Sequence, residues 1–464
     1  MHIEEVRRII ADNDVRTVII GGTDPAGVLR GKRLTVPYFF HAVEEGANFA
    51  SYILGTTTMD EVLPGLFDTG IPDVHGVLDL ATFRLAPWEQ NTAIVLMDWT
   101  TADGSPHPLC PRSMLKRKVA EAAAMGYAES ASLELEFYLL PVPISEVRLG
   151  KWSGIEPGSR DIHCYSILEG HFWEPVIGRL RDCFPEEIEA CLPEWGQGQF
   201  EVNLHHSDAV RMADSATLLK LAAKQIAAGA GATATFMAKW REDMSGSSGH
   251  VHLSLRERET GKSAFHDPAA PLKLSGVFHK FLAGNLDVFA ASTLFYAPNI
   301  NSYKRLQSLS FAGTTRNWGV DNRTTGFRAI NRSPGQTRLE IRLGGSPIWR
   351  WPPGSAPACG ASASASNRSP SQPATPMARR WSGFRPRLPK RWRRPAATRP
   401  SARCFRPNSS TTPCASPISN WAWRKPPSPT WNAGATWKRC ERSLPSRKPS
   451  PGNPAHATRS QCGA

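Results

Sequence analysis

The sequence changes character at residue 345, and that change limits which part of the chain can build a core. Residues 346–464 hold 21 Lys/Arg against a single acid, Glu441, together with 21 of the chain's 39 prolines and 8 of its 15 tryptophans. Proline interrupts nearly every window there, so neither a helical nor a strand period is sustained. The first 345 residues carry 34 Lys/Arg and 40 Asp/Glu, a net charge of −6, so the overall +14 belongs to the tail alone. Charge therefore gives residues 1–345 no electrostatic case for binding nucleic acid.

Two readings of the tail compete. One is a disordered basic arm that binds nucleic acid. Eight tryptophans argue against it, because disordered segments are poor in aromatic residues. The other is translation in a shifted frame. Codons for Ser346–Pro353 (SPIWRWPP), read from the third base of the Ser codon, can spell Pro-Tyr-Leu-Ala-Leu-Ala-Ala. That is a helix opening, with Pro in the first turn. Pro429–Arg439, read in the same shifted frame, also gives an amphipathic helical pattern. Residues 346–464 are accordingly read as a disordered frameshift product, with an inactive chain or a basic-tail nucleic-acid binder as the alternatives, and nucleic acid is not expected as a partner.

Residues 1–345 carry ordinary signals. Met1–Asp14 reads as an amphipathic helix with early acids and lacks the apolar core of a signal peptide. No stretch reaches the apolar length of a membrane span. Cys110, Cys164, Cys183 and Cys191 show no CxxC spacing, so neither a zinc site nor a disulfide framework is indicated. A cytoplasmic protein without a membrane partner is expected. Short strands at Thr17–Gly21, Val28–Leu34, Gly76–Leu80 and Thr92–Met97 make up a first domain, 1–103. A helix at Pro111–Met125, a strand at Ala131–Leu140, a helix at about Ala213–Ala230 and a strand at Ala232–Met237 open a second, 104–345. This order predicts an α+β fold in which an antiparallel sheet carries helices on one side.

The chemistry concentrates in the second domain. In Ser132–Tyr138 (SLELEFY), strand alternation puts Glu134 and Glu136 on one face. Such a pair repels itself unless cations or solvent compensate it, and its neighbours are apolar. Alone it is more often a solvated strand face. Further ligand-type residues gather, however: Glu194 and Glu201 around a glycine-rich turn (EWGQGQFE), His250 and His252 in GHVH, and Glu340 in RLEIR. Glutamates with histidine suit a hard divalent cation such as Mg²⁺ or Mn²⁺. A cationic set complements them: Lys304-Arg305, Arg323, Arg328, Arg338 and Arg342. The bland reading of these is surface ion pairs, but arginine is also the preferred fork for carboxylate and phosphate. Acids that can hold metal, joined by arginines, are what phosphoryl transfer from a nucleotide requires. No GxxxxGK[ST] loop is present, which disfavours a P-loop enzyme.

Taken together, LELEF (133–137), GQFE (198–201), ATFMAK (234–239), SGSSGHVHLS (245–254), NSYKRL (301–306), Asn322-Arg323 and RLEIR (338–342) resemble the glutamine synthetase family. The likeness is to its branch that makes γ-glutamyl amines, including γ-glutamylputrescine. The shifted-frame PYLALAA also resembles that family's next motif. The resemblance implies a β-grasp-like first domain, a two-metal catalytic domain, and ATP as cosubstrate. It implies that glutamate and an amine or ammonia are joined through a γ-glutamyl phosphate. It also implies a homo-oligomer of stacked rings.

By motif, Glu136, Glu194 and Glu201 would hold one metal ion and Glu134, His250 and Glu340 the other. Arg305, Arg342 and Gly246 would bind glutamate. Arg323, Arg328 and Arg338 would face the phosphates, with His252 and Ser254 near the nucleotide, and Arg305 and Arg323 would act in catalysis. One departure bears on the substrate: Phe311 stands where ammonia-using members place a glutamate. An apolar group there cannot hold ammonium, yet suits the carbon skeleton of a larger amine.

Overall fold

The computed structural model describes residues 1–344 apart from Thr58, Lys151, Ser308 and Leu309. The tail, with the frameshift and disorder read for it, lies outside the described residues.

Strands β1 (Thr17–Thr23), β2 (Leu29–Thr35), β3 (Ala47–Ala50), β4 (Asp73–Leu85) and β5 (Thr92–Thr100) form a sheet in the order β2-β1-β5-β4-β3. β1 and β5 run parallel, and the other pairs are antiparallel. TVIIGGT and TAIVLMDWT are nearly continuous apolar runs because both faces of this sheet are covered. Val18, Ile20, Ala93, Val95 and Met97 enter one core with Val6 and Ile10 of the helix Ile3–Asp12 and Phe39 of the helix Val36–Glu45. Ile19, Ile94 and Leu96 point the other way, into the core of the second sheet. Each such fully buried aliphatic side chain contributes about 1.5–3 kcal/mol.

The second sheet joins β6 (Tyr127–Leu140), β7 (Ile188–Pro193), β8 (Gln199–Leu204), β9 (Thr233–Thr235), β10 (Gly249–Glu257), β11 (Trp318–Val320), β12 (Phe327–Ile330) and β13 (Arg338–Ile341). Its order is β11-β12-β13-β10-β6-β8-β7, with β9 beside the end of β6. All pairs are antiparallel except β11 with β12. Leu135, Phe137 and Leu139 of β6 share a core with Leu219, Ala222, Ala223 and Ile226 of the helix Ala209–Gly229. The alternate residues Glu134 and Glu136 consequently emerge on the opposite face.

Several elements differ from the sequence reading. The long helix begins at Ala209 because the Asp208 carboxylate caps it, accepting from the Arg211 N–H at 2.9 Å. The strand expected over Ala232–Met237 pairs only at Thr233–Thr235, where β6 ends. The helix Val36–Glu45 was not foreseen. It starts with Pro37 in its first turn and stops at Gly46, whose φ of 74° is open to glycine at little cost.

Candidate active site

Strand register assembles the site. Glu134 stands opposite His250 on one side and Asn203 on the other. Glu136 faces Glu201, His252 faces Glu340, and Glu340 faces Arg328. Cross-strand partners share a face, so one row of acids and imidazoles runs across β8, β6, β10 and β13. His250 Nδ1 lies 3.0 Å from Glu134 Oε2. His252 Nε2 lies 3.0 Å from Glu134 Oε1, but off the axis of a hydrogen bond.

Two triads bring their ligand atoms within 4.8 Å of one another: Glu134, Glu201 and His250, and Glu134, His252 and Glu340. Glu134 is common to both, and His252 joins the second. The motif-based sets also lie close together: His250 Nδ1 is 3.9 Å from Glu340 Oε1, and Glu201 faces Glu136 across the strands. The electrostatics fit a cation. Burial, then the charges of Glu134, Glu136 and Glu194, push the Glu201 carboxyl up to about 9. Burial and Glu136 push Glu194 up to about 6. Glu134 goes the other way, because His250 and His252 outweigh the burial that would raise it. His250 Nε2 is buried without a hydrogen-bond partner. A buried, unpartnered imidazole nitrogen beside crowded carboxylates is a donor set that a hard divalent cation satisfies.

Neutral donors hold the other acids. Glu136 accepts from the Ser248 N–H at 2.7 Å and from the Gln199 amide at 3.2 Å. Glu194 accepts from the Trp195 N–H at 2.7 Å, and Glu201 from the Asn203 amide at 2.9 Å. Among the described residues, no Lys, Arg or His forms an ion pair with Glu136, Glu194 or Glu201.

The predicted cations take different places. Arg342 pairs with Glu340, and Arg328 spans Glu340, at 2.8 Å, and Asp321. Arg305 is buried, its pKa lowered to about 10 by burial against the pull of Glu136, so it remains a cation at neutral pH. Its side chain packs on Gly246, where a Cβ would meet Arg305 Cγ at 2.5 Å and the Ala238 carbonyl at 2.9 Å. Only glycine fits there. Arg338 donates to His252 Nδ1 at 3.1 Å. With Ser254, Glu134, His205 and His206, these two line a cavity of about 360 Å³. Arg323 is exposed on the turn before β12. Phe311 is half exposed, its ring meeting that of Trp195 edge to face.

Sequence reasoning missed Gln199, Ser248, Asn203 and Trp195. Asn203 could have been found, since it alternates with Glu201 on β8. Ser248 could not: its backbone N–H meets Glu136 through a contact between segments far apart in the chain.

Residues 108–348 match the family described as glutamine synthetase, catalytic domain. The chain is 38% identical over 352 residues to a glutamate–isopropylamine ligase of Pseudomonas sp, covering 74% of this chain and 76% of that protein. It is 34% identical over 354 residues to a gamma-glutamylethanolamide synthetase of Streptomyces coelicolor, covering 75% of each. Among solved structures, apo GmaS without ligand aligns with a TM-score of 0.63 at 26% identity, over 75% of this chain and 77% of that one.

Proposed function

The chain belongs to the glutamine synthetase family, and from that premise we propose how its residues do the chemistry. It is an ATP-dependent ligase that joins glutamate to an amine as a γ-glutamyl amide. Neither ordinary glutamine synthesis nor nucleic-acid binding is favoured beside relatives that are glutamate–amine ligases. The observation that carries the reading is the single row of Glu134, Glu136, Glu201, His250 and Glu340 on one sheet face, with Arg342 paired to its end and Arg305 buried nearby.

A carboxylate acylates poorly because oxide would have to leave. Transfer of the γ-phosphoryl group of ATP to the γ-carboxylate of glutamate gives an acyl phosphate, from which phosphate departs when the amine attacks the carbonyl carbon. Arg305, packed on Gly246, and Arg342, which pairs with Glu340 through Nη1 but keeps a buried Nε without a partner, hold and orient the carboxylates of glutamate. Arg338, His252 and Ser254 line the cavity that takes the nucleotide. Arg328 is already committed to Glu340 and Asp321, so it acts by holding Glu340 in place. Arg323, exposed on its turn, meets the charge that develops on the phosphoryl oxygens. Glu134, Glu136, Glu194, Glu201, His250 and Glu340 would hold Mg²⁺ or Mn²⁺, which would supply neutralisation of phosphate charge.

The amine we infer is organic rather than ammonium, because Phe311 offers apolar surface and no carboxylate. Residues 1–103 and 104–345 are read as two domains, a division supported by the two sheets falling on either side of it. Among the described residues, Cys110, Cys164, Cys183 and Cys191 are free thiols, which supports a reducing, cytoplasmic setting. Ring assembly rests on family membership alone.

The test is phosphate release by the full chain from ATP and glutamate, with ammonium, methylamine, ethanolamine, isopropylamine and putrescine compared. An organic amine should give the highest kcat/KM, and Phe311→Glu should shift preference toward ammonium. The highest kcat/KM for ammonium in the wild type would reinstate ordinary glutamine synthesis. Arg323→Ala should slow phosphoryl transfer about 10³-fold; an unchanged rate would leave it a surface residue.

A further inference from the structure

The geometry points to Trp195 as a specificity-determining residue: with Phe311 it forms an aromatic corner that takes the alkyl group of a short primary monoamine. This rests on the reading that the enzyme glutamylates an organic amine, and it adds a residue that the motifs did not supply.

The two ring centroids are 6.2 Å apart at 73°, and the residues are 52% and 55% exposed. Two large rings that meet at a corner and remain half open leave apolar surface that an apolar ligand would cover. The corner is firmly built on the Trp195 side. The Trp195 N–H donates to Glu194, the Glu194 N–H to the Gln199 carbonyl at 2.8 Å, and the Gly196 N–H to Gln199 Oε1 at 2.8 Å. A Cβ at Gly196 would meet the Tyr138 hydroxyl at 1.9 Å, so the turn admits little adjustment.

The Phe311 side is tied to the arginines. Its carbonyl accepts from Arg342 Nη2 at 3.5 Å, and the next carbonyl, Ala312, accepts from Arg305 Nη1 at 3.4 Å. The corner thus bridges Glu194, at one edge of the acid row, and the two arginines read as holding glutamate. A nucleophile approaching the γ-carbon between them brings its substituent against the rings. Ammonium has no substituent to bury, whereas each methylene of an alkylamine gains from the contact. Specificity would then come from apolar burial rather than from charge.

The experiment measures kcat and KM for isopropylamine and for ammonium in the full chain, as wild type, Trp195→Ala and Trp195→Phe. Trp195→Ala should lower the ratio of kcat/KM for isopropylamine to that for ammonium about tenfold, mainly through a higher KM for isopropylamine. Trp195→Phe, which keeps a ring, should retain most of the ratio. A wild-type preference for isopropylamine that survives in Trp195→Ala overturns this inference alone. So does an equal loss with both amines, which would make Trp195 merely structural. A wild type that prefers ammonium, or makes no amide with either, overturns the organic-amine reading and this inference with it.

Discussion

Two clusters of three buried or half-buried carboxylates sit in this protein, and they are compensated in different ways. Asp79 of β4, Asp98 of β5 and Asp214 of the helix Ala209–Gly229 surround Arg112, which donates to each at 2.8–3.1 Å. Lys116 adds contacts to Asp79 at 3.1 Å and Asp98 at 2.6 Å. Burial would lower the pKa of Arg112, but the three aspartates hold it above its ordinary value; burial in turn raises Asp214 to about 6 against the pull of Arg112, so the balance is least complete there. Glu136, Glu194 and Glu201 instead receive only amide and backbone N–H groups. Charge balanced by the chain's own cations makes a joint, here between the first sheet and the helices behind the second. Charge that the chain leaves unbalanced makes a place for a cation from solution.

The sharpest test of this contrast removes one acid from the second cluster. Glu136→Gln should reduce ATP-dependent amide formation by the full chain on the order of 10³-fold. Its melting temperature without added metal should stay level or rise, since a repelling charge is gone. Near-normal turnover at saturating Mg²⁺ would end the metal assignment.

The converse change is in the first cluster. Arg112→Met leaves three aspartates without their central partner and should cost about 3 kcal/mol or more of stability. Denaturant titration measures it, and a loss below 1 kcal/mol would mean that the aspartates find water or Lys116 instead.

Acidity offers a third, smaller handle. The Glu201 and Glu194 carboxyls stand at about 9 and about 6, above the ordinary 4.5. The folded, metal-free protein therefore keeps protons that the unfolded chain has released. Stability falls as pH rises from about 4.5 through these values, and the loss is complete above about 9. Glu201→Gln removes the larger part, so its melting temperature should gain on the wild type by several °C between about pH 5 and pH 9. Mg²⁺ or Mn²⁺ should narrow that gap, because metal replaces the proton. A gap independent of pH would contradict the crowding of these carboxylates.

Least affected should be Lys116→Met. Lys116 is 39% exposed and Arg112 already serves the same aspartates, so about 1 kcal/mol or less is expected in the same titration. A larger loss would make Lys116 an equal member of the joint.

How much of this was legible in the residues depends on the range of the interaction that decides each one. Alternation along a strand is local, so Glu134 with Glu136, His250 with His252, and Arg338 with Glu340 and Arg342 could be placed on shared faces from SLELEFY, GHVHLS and RLEIR alone. The runs Thr17–Gly21 and Thr92–Met97 likewise read as strands, though not as buried ones. Register is not local. That Glu136 faces Glu201, that both His250 and His252 come to lie beside Glu134 and Glu340, and that Arg328 is held by Glu340 and Asp321 follow from how separate strands slide into pairing. The sequence by itself determined which side chains could bind a cation or a phosphate and which face of each strand they would take. Only the tertiary structure decided which carboxylates Arg112 would neutralise, which would be left without a cation, and that Trp195 would meet Phe311. Compensation of charge and contact between rings are set by distances across the fold, which no local period encodes.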